Sequence, residues 1–169
     1  MQLQKDEKEY LLKELETKGK KLVNLICFVL MPNHFHALAQ QSVNNGISTF
    51  IKRATDSYAR YFNTKHERVG PLFQGAFKAV RITTVEQLLH VSRYIHLNPL
   101  VSFVVRQENF IQYQWSSLQY FLQENISQNI VDPTPILQNF SSKEEYKKFI
   151  LDHAEYAKEL EKIKHMVID

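Results

Sequence analysis

The spacing of apolar and polar positions divides the chain into segments of different period. From about Lys5 to Lys18, Tyr10, Leu11, Leu12 and Leu15 stand among charges, which predicts an amphipathic helix with Gly19 as its C′ residue. Lys21 to Leu30 is rich in Val, Ile and Phe and reads as a strand. Met31-Pro32-Asn33 supplies turn chemistry, and His34 to Gln40 reads as the returning strand. After the polar loop Ser42 to Gly46, residues Ile47, Phe50, Ile51, Ala54, Tyr58, Tyr61 and Phe62 keep helical spacing. The connection Arg68-Val69-Gly70-Pro71 leads into Leu72 to Ile82, an extended segment. Thr84 to Leu97 reads as the next helix: Thr84 is its N-cap, Gln87 completes a capping box, and Pro99 closes it. Trp115 to Leu122 reads as helical, Asp132-Pro133-Thr134-Pro135 as a break, and Ser141 to Ile163 as one or two charged helices. The expected organisation is one domain over 1–130 followed by a helical extension over 131–169, with no internal repeat.

Composition narrows the setting. The 44% of hydrophobic residues is enough for a packed core in a chain of 169 residues. The lone cysteine, Cys27, sits in the apolar run Leu25 to Leu30; a single buried thiol makes no internal disulfide and fits a reducing cytoplasm. No apolar stretch approaches the roughly 18 residues of a membrane span, and the first residues do not read as a signal peptide, so a soluble intracellular protein is expected. The net charge of +3 names no partner. Its distribution says more: between Ile51 and Arg106 there are nine basic residues against Asp56, Glu67 and Glu86, a surplus of six. That surplus suits a phosphate backbone or, equally, a solvated basic face.

Two features carry chemistry. His34 and His36 are one residue apart on an expected strand, so their side chains share a face with Cα atoms about 7 Å apart. Two imidazoles so placed can grip one divalent cation and leave positions for water or a phosphate oxygen. His-x-His alone is a weak signal, because such pairs are common without a metal. Tyr94 lies on an expected helix, four residues before Asn98 and on the same face. By itself it reads first as an amphipathic side chain on a packed helix, with its hydroxyl at the surface. His96, rotated about 200° from Tyr94 around the helix, reads as structural or DNA-facing.

The passage Phe28-Val29-Leu30-Met31-Pro32-Asn33-His34-Phe35-His36-Ala37-Leu38 resembles the hallmark of the REP-associated tyrosine transposases and their insertion-sequence relatives. These belong to the HUH endonucleases, named for two histidines around a hydrophobic residue, here Phe35. Three further segments match in order: Tyr61-Phe62-Asn63 with Gly70 to Ala79, then Ser92 to Leu100 around Tyr94 and Asn98-Pro99, then Tyr113 to Ser117 with Tyr120. The resemblance spans about Leu22 to Tyr120. It implies that Tyr94 is the nucleophile and that His34, His36 and Asn98 hold Mg²⁺ or Mn²⁺. It implies cleavage and rejoining of single-stranded or hairpin DNA through a 5′-phosphotyrosine, by a homodimer. The fold it implies is α+β, a ferredoxin-like (RRM-like) antiparallel sheet with helices on one face. Lys52, Arg53, Arg60, Lys78, Arg81 and Arg93 are candidates for phosphate contact, while Phe73 and Trp115 are candidates either for base stacking or for the core.

The pattern is broken in two places. The family domain begins with a strand before its first helix, whereas this chain starts almost at that helix, so the first strand is expected to be missing and neighbouring strands to lack a partner. After Pro99, Leu100-Val101-Ser102-Phe103-Val104 stands where relatives carry an arginine-bearing turn, a change expected to alter packing. Two alternatives follow: a DNA-binding protein of the same fold that has lost cleavage, and an RNA-directed nuclease using the same histidines.

Overall fold

The structure, a computed structural model, describes residues 7, 10, 14, 21–123, 130–152 and 154. Of the helix expected at the start, Glu7, Tyr10 and Glu14 are helical, and the rest lies outside the described residues. The chain divides into two compact units, one made of residues 1–23 and 41–70, the other of residues 24–40 and 71–169.

The second unit carries the histidines and the tyrosine. Its secondary structure starts with an antiparallel hairpin, β1 (Val23–Leu30) and β2 (Phe35–Gln41). The turn is closed by Met31 N–H donating to the His34 carbonyl at 2.8 Å. His34 therefore ends the turn, and the strand starts one residue later than its sequence suggests. β1 is buried at Ile26, Cys27 and Val29, and burial pushes the Cys27 thiol pKa up.

The edge of β1 away from β2 is also paired. Leu30 N–H donates to the Trp115 carbonyl at 2.8 Å, Ser117 N–H donates to the Phe28 carbonyl at 2.9 Å, and Val29 and Ser116 form an antiparallel bridge. This pairing explains why the helix expected from Trp115 begins only at Leu118. The backbone of Trp115 to Ser117 is committed to the sheet, so the helical turn α3 spans Leu118–Leu122. Residues 76–82, expected to be extended, form neither strand nor helix and make no backbone–backbone hydrogen bond among the described residues. An α+β architecture follows, with a two-stranded sheet among the described residues.

The long helix of this unit, α2, spans Val85–Val101. Thr84 Oγ1 accepts from Gln87 N–H at 3.1 Å, and Gln87 Oε1 accepts from Thr83 N–H at 3.0 Å, an arrangement close to the expected capping box. The helix does not stop at Pro99. A proline this near the end removes only one internal hydrogen bond, and its fixed φ is helix-compatible. Pro99 and Leu100 are fully buried, and the Pro99 carbonyl accepts from Val104 N–H at 2.9 Å and Val105 N–H at 3.1 Å. Burial thus outweighs the lost donor, and the last turn survives. From Ile95 to Leu100 every residue is buried, so this half of α2 is sheathed on all sides.

The sheath is supplied by β1, α3, α4 (Thr134–Leu137) and α5 (Lys143–Leu151). Asp132 Oδ1 accepts from Thr134 N–H at 3.1 Å, which turns the expected break into the start of α4. Ser142 Oγ accepts from Glu145 N–H at 3.1 Å and caps α5. Ile136, Tyr146 and Ile150 from these helices enter the same core as Ile26, Cys27 and Val29. The charged segment expected after Leu151 lies mostly outside the described residues.

In the first unit, α1 (Gly46–Lys65) starts after Asn45, whose φ of 57° is left-handed. Gly46 is required there: a Cβ would collide with the Leu22 carbonyl oxygen and press on Gln41 Cγ at 3.3 Å. Replacing Gly46 with Ala is expected to cost about 1–3 kcal/mol through overpacking. Urea unfolding checks this, as a lowered midpoint with an unchanged slope.

Candidate active site

Three rings stand in a row in the second unit. The His34 and His36 centroids are 5.0 Å apart at 82°, and those of His36 and Tyr94 are 5.2 Å apart at 73°, both edge-to-face. The hairpin positions the histidines, His34 from the turn and His36 from the second residue of β2. Helix α2 positions Tyr94. It stands just before the buried half of that helix and is itself exposed, at 56% of its surface.

The protonation of the pair follows from its neighbours. His34 Nδ1 lies 2.6 Å from Asn33 Oδ1. That oxygen only accepts, so the proton is assigned to Nδ1 and the lone pair of Nε2 remains for a ligand. His36 Nε2 is buried with no hydrogen-bond partner among the described residues. Burial, and secondarily the neighbouring His34, push the His36 pKa down, which keeps it neutral near pH 7. An orphaned neutral imidazole nitrogen beside a second imidazole is a donor set that suits a divalent cation.

Asn98 is one helical turn beyond Tyr94 and only 7% exposed. Its Oδ1 accepts from Ser102 Oγ at 3.4 Å, and no hydrogen bond joins it to either histidine among the described residues. The rings of His34, His36 and Tyr94 are thus brought together, and Asn98 follows Tyr94 by four residues on α2.

The six basic candidates divide by environment. Arg53, Arg60, Lys78 and Arg81 are exposed and make no ion pair among the described residues. Lys52 is paired with Asp56 at 2.6 Å. Arg93 is engaged by the fold: its guanidinium lies 4.4 Å from the Phe149 ring centroid, and its Nη2 is 2.7 Å from His90 Nδ1. Trp115 is half exposed, and Phe73 meets Phe35 edge-on at 6.5 Å.

Sequence reasoning left open what His96 does. It is fully buried, with Nδ1 2.8 Å from Tyr146 Oη and Nε2 2.9 Å from Ser117 Oγ. Ser92 and His96, four residues apart among apolar neighbours, were the available signal; both are buried polar groups on one helix face.

The model of the family described as Transposase IS200 like matches residues 2–98. The chain belongs to the IS200-like transposase family. DNA transposition, with the DNA binding it requires, is the activity of that family. The matched stretch contains His34, His36, Tyr94 and Asn98. No curated protein and no solved structure matches the chain. Among the described residues, no helix is long and apolar enough to cross a membrane.

Burial pushes the His96 pKa down from 6.5 to about 3. Between those values the unfolded chain takes up a proton that the folded chain refuses, so stability must fall as pH drops below 6.5. The loss from this residue approaches about 1.4 kcal/mol per pH unit at its steepest. Urea midpoints measured from pH 7 to pH 4 are expected to fall less steeply in His96→Asn than in the wild type.

Proposed function

We propose that this chain cleaves and rejoins single-stranded DNA, with Tyr94 as the nucleophile beside the His34–His36 pair. The observation that carries the reading is the His34–His36–Tyr94 ring row, in which an accessible phenol meets an imidazole with an unpartnered nitrogen. Membership of a transposase family supplies the substrate class.

In the proposed reaction the Tyr94 oxygen attacks the scissile phosphorus. A bond from that oxygen to phosphorus forms and the bond to the 3′-oxygen breaks. The phenolic proton is lost, the 3′-oxygen leaves as a hydroxyl, and a 5′-phosphotyrosine remains. Attack by a 3′-hydroxyl reverses the step, and the retained ester makes ATP unnecessary. His34, His36 and Asn98 would hold Mg²⁺ or Mn²⁺, which when bound supplies charge to a phosphate oxygen. Asn33 fixes the His34 ring so that its Nε2 lone pair faces outward from the Asn33 contact. Lys52, Arg53, Arg60, Lys78, Arg81 and Arg93 are the candidate phosphate contacts of this reading, of which Lys52 also pairs with Asp56 and Arg93 also packs on Phe149. A homodimer and a ferredoxin-like sheet that lacks its first strand belong to the same proposal.

The test incubates the protein with Mn²⁺ and a labelled single strand flanked by a hairpin, then resolves covalent adducts on a denaturing gel. Wild type is expected to form an adduct, Tyr94→Phe none, and Asn33→Ala an adduct about 10–100-fold more slowly. DNA binding without an adduct would leave a binding protein of the same fold. Cutting confined to RNA strands would point to an RNA-directed nuclease.

A further inference from the structure

The buried polar groups of the second unit form one directed chain. Tyr146 Oη donates to Ser92 Oγ at 3.3 Å, and Ser92 Oγ donates to the Leu89 carbonyl at 2.8 Å. With the Tyr146 proton assigned to that bond, His96 Nδ1, 2.8 Å from Tyr146 Oη, is assigned as the donor to it. His96 Nε2 is then an acceptor, served by Ser117 Oγ at 2.9 Å. Ser117 Oγ in turn accepts from Phe28 N–H at 2.8 Å. Although Ser117 Oγ is also 3.0 Å from the Phe28 carbonyl, that carbonyl already accepts from Ser117 N–H at 2.9 Å. So assigned, every group in the run from Phe28 through Ser117, His96, Tyr146 and Ser92 to Leu89 has a partner.

The run ties β1, the Ser117 turn, α2 and α5 together, and Tyr146 and Ser117 both lie beyond the family-matched residues 2–98. Hydrophobic packing alone tolerates small rotations of a helix about its axis; two hydrogen bonds at fixed angles on a planar ring do not. His96 and Tyr94 are two residues apart, so an anchor at His96 sets the azimuth at which Tyr94 leaves the opposite side of α2. We propose that His96, held between Ser117 and Tyr146, is a positioning residue that fixes the Tyr94 ring against His36, and that α5 is thereby part of the reactive unit. The proposal rests on the reading of Tyr94 as nucleophile for its effect on rate, and on geometry alone for its effect on Tyr94.

The experiment uses the full chain with 3-fluorotyrosine placed at position 94, in the wild type, Tyr146→Phe and Ser117→Ala, each first shown to be folded by circular dichroism. The ¹⁹F resonance, recorded without DNA or metal, is expected to shift or split in both variants, because Tyr94 leaves its contact with His36. With unlabelled protein and saturating oligonucleotide, adduct formation is expected to slow about 10–100-fold, with the DNA concentration for half-saturation changed less than about twofold. His96→Asn, which keeps a donor near the Nδ1 position, is expected to recover part of the rate lost in His96→Leu. An unmoved ¹⁹F resonance, or a moved one with an unchanged rate, overturns the proposal. If Tyr146→Phe does not fold, Ser117→Ala read in the same way decides. If the wild type forms no adduct, the nucleophile reading fails while the ¹⁹F comparison still decides the positioning claim.

Discussion

A buried imidazole needs a partner for each nitrogen, and the way His96 finds them shapes the whole of the second unit. One partner comes from Ser117, where the chain is bridged to β1, and the other from Tyr146 on α5. Since an unmet polar group in such a place costs on the order of 1–3 kcal/mol, the sheet, the long helix and the C-terminal helix must come together in one relative arrangement. Apolar contacts surround the ring: Phe121 meets His96 edge-to-face at 4.7 Å and stacks on Tyr146 at 5.1 Å. The packing excludes water, and the hydrogen bonds select the register.

The Tyr94 side of α2 is the other face of this constraint. Because the helix from Ile95 onward is enclosed, Tyr94 is the point at which it opens to solvent, and there it meets His36. The hairpin contributes the other half. Its turn sets the His34 ring against Asn33 Oδ1, and its short second strand sets His36 where one nitrogen has no partner among the described residues. The two halves differ in how they are held. The α2 side is fixed by burial, whereas on the hairpin side His36 Nε2 is buried without a hydrogen-bond partner among the described residues.

Much of this was legible in the residues. The β-rich run before Met31-Pro32-Asn33 announced the hairpin, and Thr84 with Gln87 announced the start of α2. The ordered motifs around His34, His36 and Tyr94 marked the transposase family to which the chain belongs. What escaped local reading depended on tertiary context. Pro99 marks a helix end by local rules, yet burial of Pro99 and Leu100 carries α2 to Val101. Trp115 to Ser117 has helical character, yet its backbone is drawn into pairing with β1. The polar run through His96 joins residues up to 118 positions apart in sequence, from Phe28 to Tyr146, and no local pattern signals such a chain. Arg93, basic and next to Tyr94, also packs on Phe149 and meets His90, contacts that no local pattern signals.

The central claim is that Tyr94 itself becomes linked to DNA, and peptide mapping of the reaction product tests it most directly. After incubation with Mn²⁺ and a single-stranded oligonucleotide, nuclease trimming and trypsin digestion, cleavage after Arg93 and Arg106 releases the peptide Tyr94–Arg106, which holds one tyrosine. The account predicts that mass spectrometry finds the residual nucleotide on this peptide, at Tyr94. A nucleotide attached to any other tyrosine-containing peptide, with Tyr94–Arg106 unmodified, would contradict it.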